Sequence, residues 1–457
     1  MHVERLEARL LCSIFRVGPT EPYHAIHDVP LASLQPGDDV KVDWQTGLYH
    51  DKLDICAGGC PGNPVTIEGL PGPEGELPIL EANGAIENLD ASYPHADVFG
   101  AAGLITVMPD ATAEHISDVV IKGFEIRHAT RNALFTDFTG TVRPYSYSSA
   151  GVAIYSADRV TVTGCLIHGN EIGIFAKSQG WTYGDCHYLT VSHDRIHSNG
   201  LAGSDRCHNT YIEGAYTLYE FDDYGALLTG AEASTNLADR GVGTIVRYCH
   251  LSGGSNVLNL IEPDDGAPSL DALPGFGTEW VYGCIVVNPN GSNCSVIIHF
   301  GTDYDGPVSQ TDLWFYDNTV VSYNDYTQGG RYYTYVFSGW SDITIHAMNN
   351  IFDSVCLTPG DWSGEWALAT GGSYGSTVTV SLGAVRVRAI QTGRLCDSDR
   401  MGEHADEHGR SLCECDVPRL PAALYLDLCC GGWLSARPVC SAISVGPVDE
   451  QLDCAPQ

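Results

Sequence analysis

The chain has 457 residues and carries 57 acidic side chains against 23 basic ones, a formal net charge of -34, with lysine only at Lys41, Lys52, Lys122 and Lys177. That balance excludes nucleic-acid binding, which needs a basic footprint on phosphate, and it repels a polyanion unless calcium or a local arginine cluster reverses the field. Fifty-one glycines and 23 tyrosines, with abundant Val, Ile and Thr, predict short strands separated by turns and hence an all-β protein.

The chain opens MHVERLEARLLCS. These dozen residues resemble the "LExRxLLxS" signature of exported proteins from planctomycete-type bacteria, so residues 1–30 read as a targeting leader and the protein as secreted or surface-exposed. No run of 18 or more apolar residues follows, and no membrane span is expected.

From residue 117 one strand phrase recurs: SDVVIKGFEIRH, DRVTVTGCLIHGN, YLTVSHDRIHSN, GTIVRYCHLSGG, TEWVYGCIVVNP and TDLWFYDNTVVS. Aligned on Ile126, Ile167, Ile196, Leu251, Val286 and Val320, the copies are 29 to 55 residues apart. Five residues before each anchor the occupant is apolar (Ile121, Val162, Val191, Val246, Val281, Phe315), and four before it is polar or amphipathic. That alternation is a strand with one buried face. The 55-residue gap has room for one more coil around Phe221, and SDITIHAMNNIF reads as a seventh copy about two residues longer. A coil of this size cannot bury its apolar side alone, so the copies must stack, and a right-handed parallel β-helix solenoid over residues 31–356 is the expected fold.

Two residues before the anchors stand Phe124, Cys165, Asp194, Cys249, Cys284 and Asn318, an inward turn position at which the cysteines read as small buried thiols. Cys249 and Cys284 are the pair expected on successive coils. His168 and His197, each one residue after its anchor, are expected to stack. Residues 357–457 contain Cys396, Cys413, Cys415, Cys429, Cys430, Cys440 and Cys454 and read as an irregular, poorly ordered tail or a small appended module. The 17 cysteines match no zinc spacing, and the CxxxC of Cys56 and Cys60 has no second pair.

The stretches from Leu34 to Val40, Tyr49 to Ile55 and Pro64 to Ile79 resemble the "LQPGDTV", "Y.EK..I" and "PI.I.G.PGP.GE.P.I.G" elements of secreted polysaccharide-lyase β-helices of the chondroitinase and alginate-lyase type. NLADRGVGTIVRYCHL, residues 236–251, resembles that family's "N.LKDRSAGTVIRYNWI". The resemblance implies binding of an acidic polysaccharide by a protein that is expected to be a monomer, with β-elimination at uronic acids as the activity. In that chemistry calcium neutralises the carboxylate, a lysine removes the C5 proton and an arginine assists the leaving oxygen. Here the lysine's place is taken by Ala238, so a non-catalytic carbohydrate-binding or structural role is the alternative. The candidate catalytic residues are Asp239, Arg240 and Arg247; Tyr211, Tyr219, Tyr248, His250 and Glu262 are candidates for substrate contact. Glu213, Glu220 and Asp222 are candidates for holding calcium, with Asp223 and Glu232 nearby. Insertions at 130–148 and 200–243 are expected to wall the groove, and Trp181, Tyr183 and Tyr216 to stack on sugar rings. No polygalacturonase-type set of paired aspartates with a Gly-His-Gly loop is present.

Overall fold

The computed structural model describes residues 12–391 except 89–99, 110–114, 179–183, 232, 265–266, 290–293, 295, 304–309, 325–334, 340, 357–366, 372–377 and 383–384, together with 434–435. Each turn of the chain gives one strand to each of three sheets. Ala157–Thr163, Leu166–His168 and Ile172–Lys177 make one coil; Thr190–Ser192, Arg195–His197 and Thr210–Ile212 make the next. The sheets, numbered in the order the chain visits them, contain 12, 11 and 13 strands. Successive coils pair in parallel throughout this region, which is the arrangement of a parallel β-helix. The only α-helix among the described residues is Ala267–Leu270.

The inward rungs lie in register. On sheet 1, Ile67, Ile121, Val162, Val191, Tyr219, Val246, Val281, Phe315 and Ala347 form one ladder. None is more than 1% exposed, as the alternation predicts. The coil expected in the long gap exists: Tyr219 is its rung, and Tyr224 is its anchor between Ile196 and Leu251. Phe352 pairs with Val320 and Ala347 with Phe315, so the seventh copy keeps the spacing of the others and its two additional residues precede the strand.

Two corners are held by polar ladders. Between sheets 1 and 2, Asp194 Oδ1 accepts the Cys165 amide at 2.6 Å, Asp222 Oδ1 accepts that of Asp194 at 2.9 Å, and Asn318 and Asn350 repeat the pattern further on. Cys165, Cys249 and Cys284 fill the same position as buried thiols. Between sheets 2 and 3, Asn170, Asn199, Asn209 and Asn236 are fully buried and chained amide to amide at 3.0, 3.0 and 2.7 Å. Each ladder satisfies backbone groups that a turn would otherwise bury without partners. His168 and His197 pair on sheet 2 with rings stacked 5.4 Å apart.

Three boundaries differ from expectation. Ile14–Val17 is the first strand of sheet 1, paired with Asp39–Asp43, and Val17, Ile26 and Val29 join the core, so the described fold begins before residue 31. Residues 1–11 lie outside the described part. The coil also continues past 356: Ala367–Gly371, Val378–Leu382 and Val385–Gln391 extend sheets 3, 1 and 2 in turn. The last of them alternates in sequence, VRVRAI, within a cysteine- and arginine-rich stretch. The 130–148 insertion forms a hairpin, Leu134–Thr136 with Val142–Pro144, that extends the end of sheet 3 beside Ala85–Glu87 and does not wall a groove. At the other end, Leu434–Ser435 pairs antiparallel with Val385–Gln391.

Phe315 packs its ring 5.2 Å from Phe337 and 6.4 Å from Phe352, linking rungs from all three sheets. Phe315→Ala should lower unfolding free energy by about 3–5 kcal/mol, read from the denaturant midpoint; a change below about 1 kcal/mol would contradict a close-packed interior at this rung.

Candidate functional site

The residues singled out from sequence do not share one wall. Tyr219, Asp222 and Asp239 face the interior, and none is more than 2% exposed. In Leu237–Asp239 the inward position of Leu237 makes Asp239 inward too, in the ladder with Ile212 and Leu260. Its carboxylate accepts Tyr219 Oη at 2.7 Å and Thr244 Oγ1 at 2.7 Å. Burial pushes it up to about 6, against the opposing effect of these hydrogen bonds. Fully buried Glu279 is raised well above the ordinary range, first by burial and then by the Asp239 charge, and its carboxyl oxygens have no hydrogen-bond partner. Asp239 is therefore a core acid, out of reach of a polymer. Tyr219 likewise presents no surface for a sugar.

The expected calcium ligands are separated in the same way. Asp222 belongs to the interior corner ladder, Glu220 stands on the outer face of sheet 1, and Glu213 follows the sheet 3 strand Thr210–Ile212 and accepts the Asp264 amide at 2.9 Å. They form no common site. His250 lies on sheet 2, with Nδ1 2.7 Å from Asp223. Trp181, Tyr183 and Glu232 lie outside the described residues.

The outer face of sheet 3 carries the residues to which the lyase resemblance points. One outward row runs Phe175, Tyr211, Ala238, Asn259 and His299. Phe175 and Tyr211 stack at 5.7 Å, and His299 Nδ1 is 2.7 Å from Asn259 Oδ1. Beside the row, Arg240 bonds Asp303 at 2.6 Å and the Glu262 carbonyl at 3.2 Å, while Glu262 accepts Thr302 Oγ1 at 2.7 Å. Ala238, Arg240, Glu262 and His299 are all buried. His208, facing Tyr211, falls to about 4, chiefly through burial. The described polar groups of this face are largely bonded to one another, and its central rung, Ala238, has no proton acceptor.

The open concavity lies on sheet 1. Its floor is the outward row Leu218, Ile245, Trp280 and Trp314, one residue from each of four successive coils. Tyr188 and Tyr216, stacked at 5.1 Å, form one wall. Gly243 admits the Tyr216 ring, since a Cβ there would come within 2.9 Å of it. On the opposite side Arg247 is held by Glu220 at 2.8 Å and by Tyr282 Oη at 3.2 Å, and the ladder continues with Tyr282 and Tyr316 stacked at 4.8 Å. Tyr248, half exposed at the corner, completes this side against Phe221 at 5.3 Å. The central part is a shallow, open depression of about 490 Å³ lined mainly by apolar atoms. Arg247 and Tyr248 were anticipated from sequence; the floor was not. Its signal was the outward position six residues before each anchor, where Thr161 and Thr190 give way to Leu218, Ile245, Trp280 and Trp314.

Fold and groove together define a parallel β-helix protein with an aromatic-floored outer face. No family model and no curated protein matches the chain. Among solved structures, it is similar to an alginate lyase from Paenibacillus sp. str. FPU-7, at 13% identity and TM-score 0.48, covering 77% of this chain and 94% of that one. It is also similar to a DFA-IIIase from Arthrobacter chlorophenolicus A6, at 11% identity and TM-score 0.48, covering 76% and 84%. A pectin methylesterase from Aspergillus niger aligns at 12% identity and TM-score 0.37, covering 85% and 92%. Likeness at this level transfers no residue role.

Asp194 and Asp222 yield a pH prediction. Burial raises both, Asp222 to about 8, with mutual repulsion adding at Asp194. Folding therefore strengthens proton binding, so the stability they contribute is present below the ordinary carboxyl range and is lost as pH rises through about 8. Asp222→Asn keeps the Oδ1 acceptor, as Asn318 does at the same corner. It should raise stability at pH 8 by on the order of 1 kcal/mol and flatten the loss between pH 5 and 8; an unchanged profile would show the corner acids to be ionised.

Proposed function

We propose that this protein binds a polysaccharide strand along the outer face of sheet 1 and does not cleave it by β-elimination. The observation that carries the reading is the row Leu218, Ile245 and Trp280 lining an open groove between a tyrosine wall and the Arg247–Glu220 pair, continued on the next coil by Trp314, which stacks on His346. Four coils at the usual strand spacing give about 14 Å of continuous floor, enough for a short run of sugar rings. Apolar ring faces suit the C–H faces of sugars, while Tyr hydroxyls, Glu220 and Arg247 supply hydrogen-bonding partners at the sides.

The charge of the groove favours an uncharged or weakly charged glycan. Arg247 is already matched by Glu220, and the chain as a whole repels polyanions. An acidic polymer, as the lyase resemblance implies, would need a bridging cation such as calcium, and Glu213, Glu220 and Asp222 do not converge to supply it. β-Elimination lacks its base at Ala238. A right-handed winding belongs to the same proposal, supported by the near-universal hand of crossovers between parallel strands. Location outside the cell rests on the opening dozen residues.

Titration calorimetry with neutral β-glucans, xylan and mannan beside alginate, pectate and chondroitin tests this. Neutral polymer should bind, with Trp280→Ala or Trp314→Ala weakening it about 10-fold, equivalent to about 1.4 kcal/mol; equal binding by both variants removes the groove from consideration. No unsaturated-uronate absorbance should appear with the parent on the acidic polymers. If the parent cleaves one of them, the binding-only reading is wrong, and Ala238→Lys serves as the comparison for a restored base.

A further inference from the structure

We propose that His115, Asp158 and His187 bind a divalent transition-metal ion of the zinc class, at the corner where sheet 3 passes into sheet 1. Three coils contribute. Asp158 lies in Ala157–Thr163, His187 bridges to it on the next coil, and His115 immediately precedes Ile116–Lys122 on the previous one. The register that aligns the core rungs thus also stacks these side chains on the outside.

The geometry is close to that of a coordinated ion. His187 Nδ1 is 2.8 Å from Asp158 Oδ1, His115 Nδ1 is 3.7 Å from the same oxygen, and the potential ligand atoms all lie within 4.8 Å of one another. A tetrahedral zinc ion bound at ordinary lengths would hold its ligand atoms about 3.4 Å apart, so rotations of exposed or half-buried side chains suffice. The two imidazoles are nearly parallel, 6.2 Å apart between centroids, and flank the carboxylate.

The neighbouring cation does not compete. Arg159, adjacent in sequence, turns to Asp118 with two bonds of 3.0 Å, leaving the Asp158 charge to the histidines. Although burial raises Asp158, the His187 hydrogen bond and the nearby His115 outweigh it and hold the carboxyl below its ordinary range. Two neutral imidazoles and one carboxylate carry a single negative charge, so a divalent ion would leave the site positive within a strongly acidic protein. Imidazole ligands favour zinc, nickel or copper over calcium and magnesium, which prefer oxygen. Three protein ligands at an exposed corner leave room for water as a fourth. His187 is followed by Tyr188 in the groove wall, but the metal assignment does not depend on what the groove binds.

The test uses the full chain, stripped with chelator and titrated with Zn²⁺ at pH 7.5, with Co²⁺ absorption reporting ligand geometry. One ion per chain is expected at this site, with a higher thermal midpoint in Zn²⁺. His115→Ala and His187→Ala should each weaken it at least about 10-fold, since loss of even an outer-shell partner costs that much. His197→Ala, in the separate histidine stack on sheet 2, should leave it unchanged. Absence of Zn²⁺ binding overturns the proposal, as does binding and Co²⁺ absorption that both corner variants retain. His115 is exposed, so far-ultraviolet dichroism and a metal-free midpoint equal to the parent's should verify that its variant is folded.

Discussion

Parallel pairing of each coil with the coils on either side is the constraint from which the rest of the structure follows. A strand in this arrangement obtains its hydrogen bonds from neighbours one turn away in sequence, so register is enforced along the whole axis and each inward position becomes part of a continuous line. The line can be apolar, as along sheet 1, or polar where a turn leaves amide groups to be satisfied, as with the stacked asparagines. It can also place acids in unfavourable positions. Asp194, Asp222, Asp239 and Glu279 occupy interior sites because their backbone positions require it, and burial favours their protonated forms.

The same constraint divides the exterior into faces with different chemistry. Sheet 3 gathers Arg240, Glu262, Asn259 and His299 into mutual pairing beside the short side chain of Ala238. Sheet 1 places large apolar side chains side by side and leaves them partly exposed. One face is thus taken up by its own hydrogen bonds and the other is left open, the contrast on which the proposed binding groove rests. The corner histidines add a third chemistry on the same scaffold, at a place where three coils meet.

Much of this organisation was legible because a buried strand face writes its period into the sequence. Val162, Val191, Val246 and Val281 announced both the strand and its inward side, and the length of the gap before Val246 announced another coil. The charged residues were harder to place. Asp239 and Asp222 look external by composition, yet alternation from Leu237 and the corner position before Tyr224 send both inside. Asn170 and Asn199 stand three residues after their anchors, outside the positions compared, so their ladder went unseen. The floor of the groove was hidden by its gradual change from threonine to tryptophan, a trend visible only when outward positions are compared coil by coil. His115 and His187 are distant in sequence and meet through coil stacking, which no local motif encodes.

The direction of the terminal strands has a further consequence. A stack of parallel strands ends in unsatisfied amide and carbonyl groups that another molecule could extend indefinitely, as in a fibre. Here the hairpin at Leu134–Thr136 and Val142–Pro144 finishes one end of sheet 3, and Leu434–Ser435 lies against the last strand of sheet 2, both with reversed polarity. Reversal presents an incoming coil with the wrong spacing of donors and acceptors. The irregular additions to the repeat thus give two of the described sheet edges a polarity that the parallel stacking cannot simply continue.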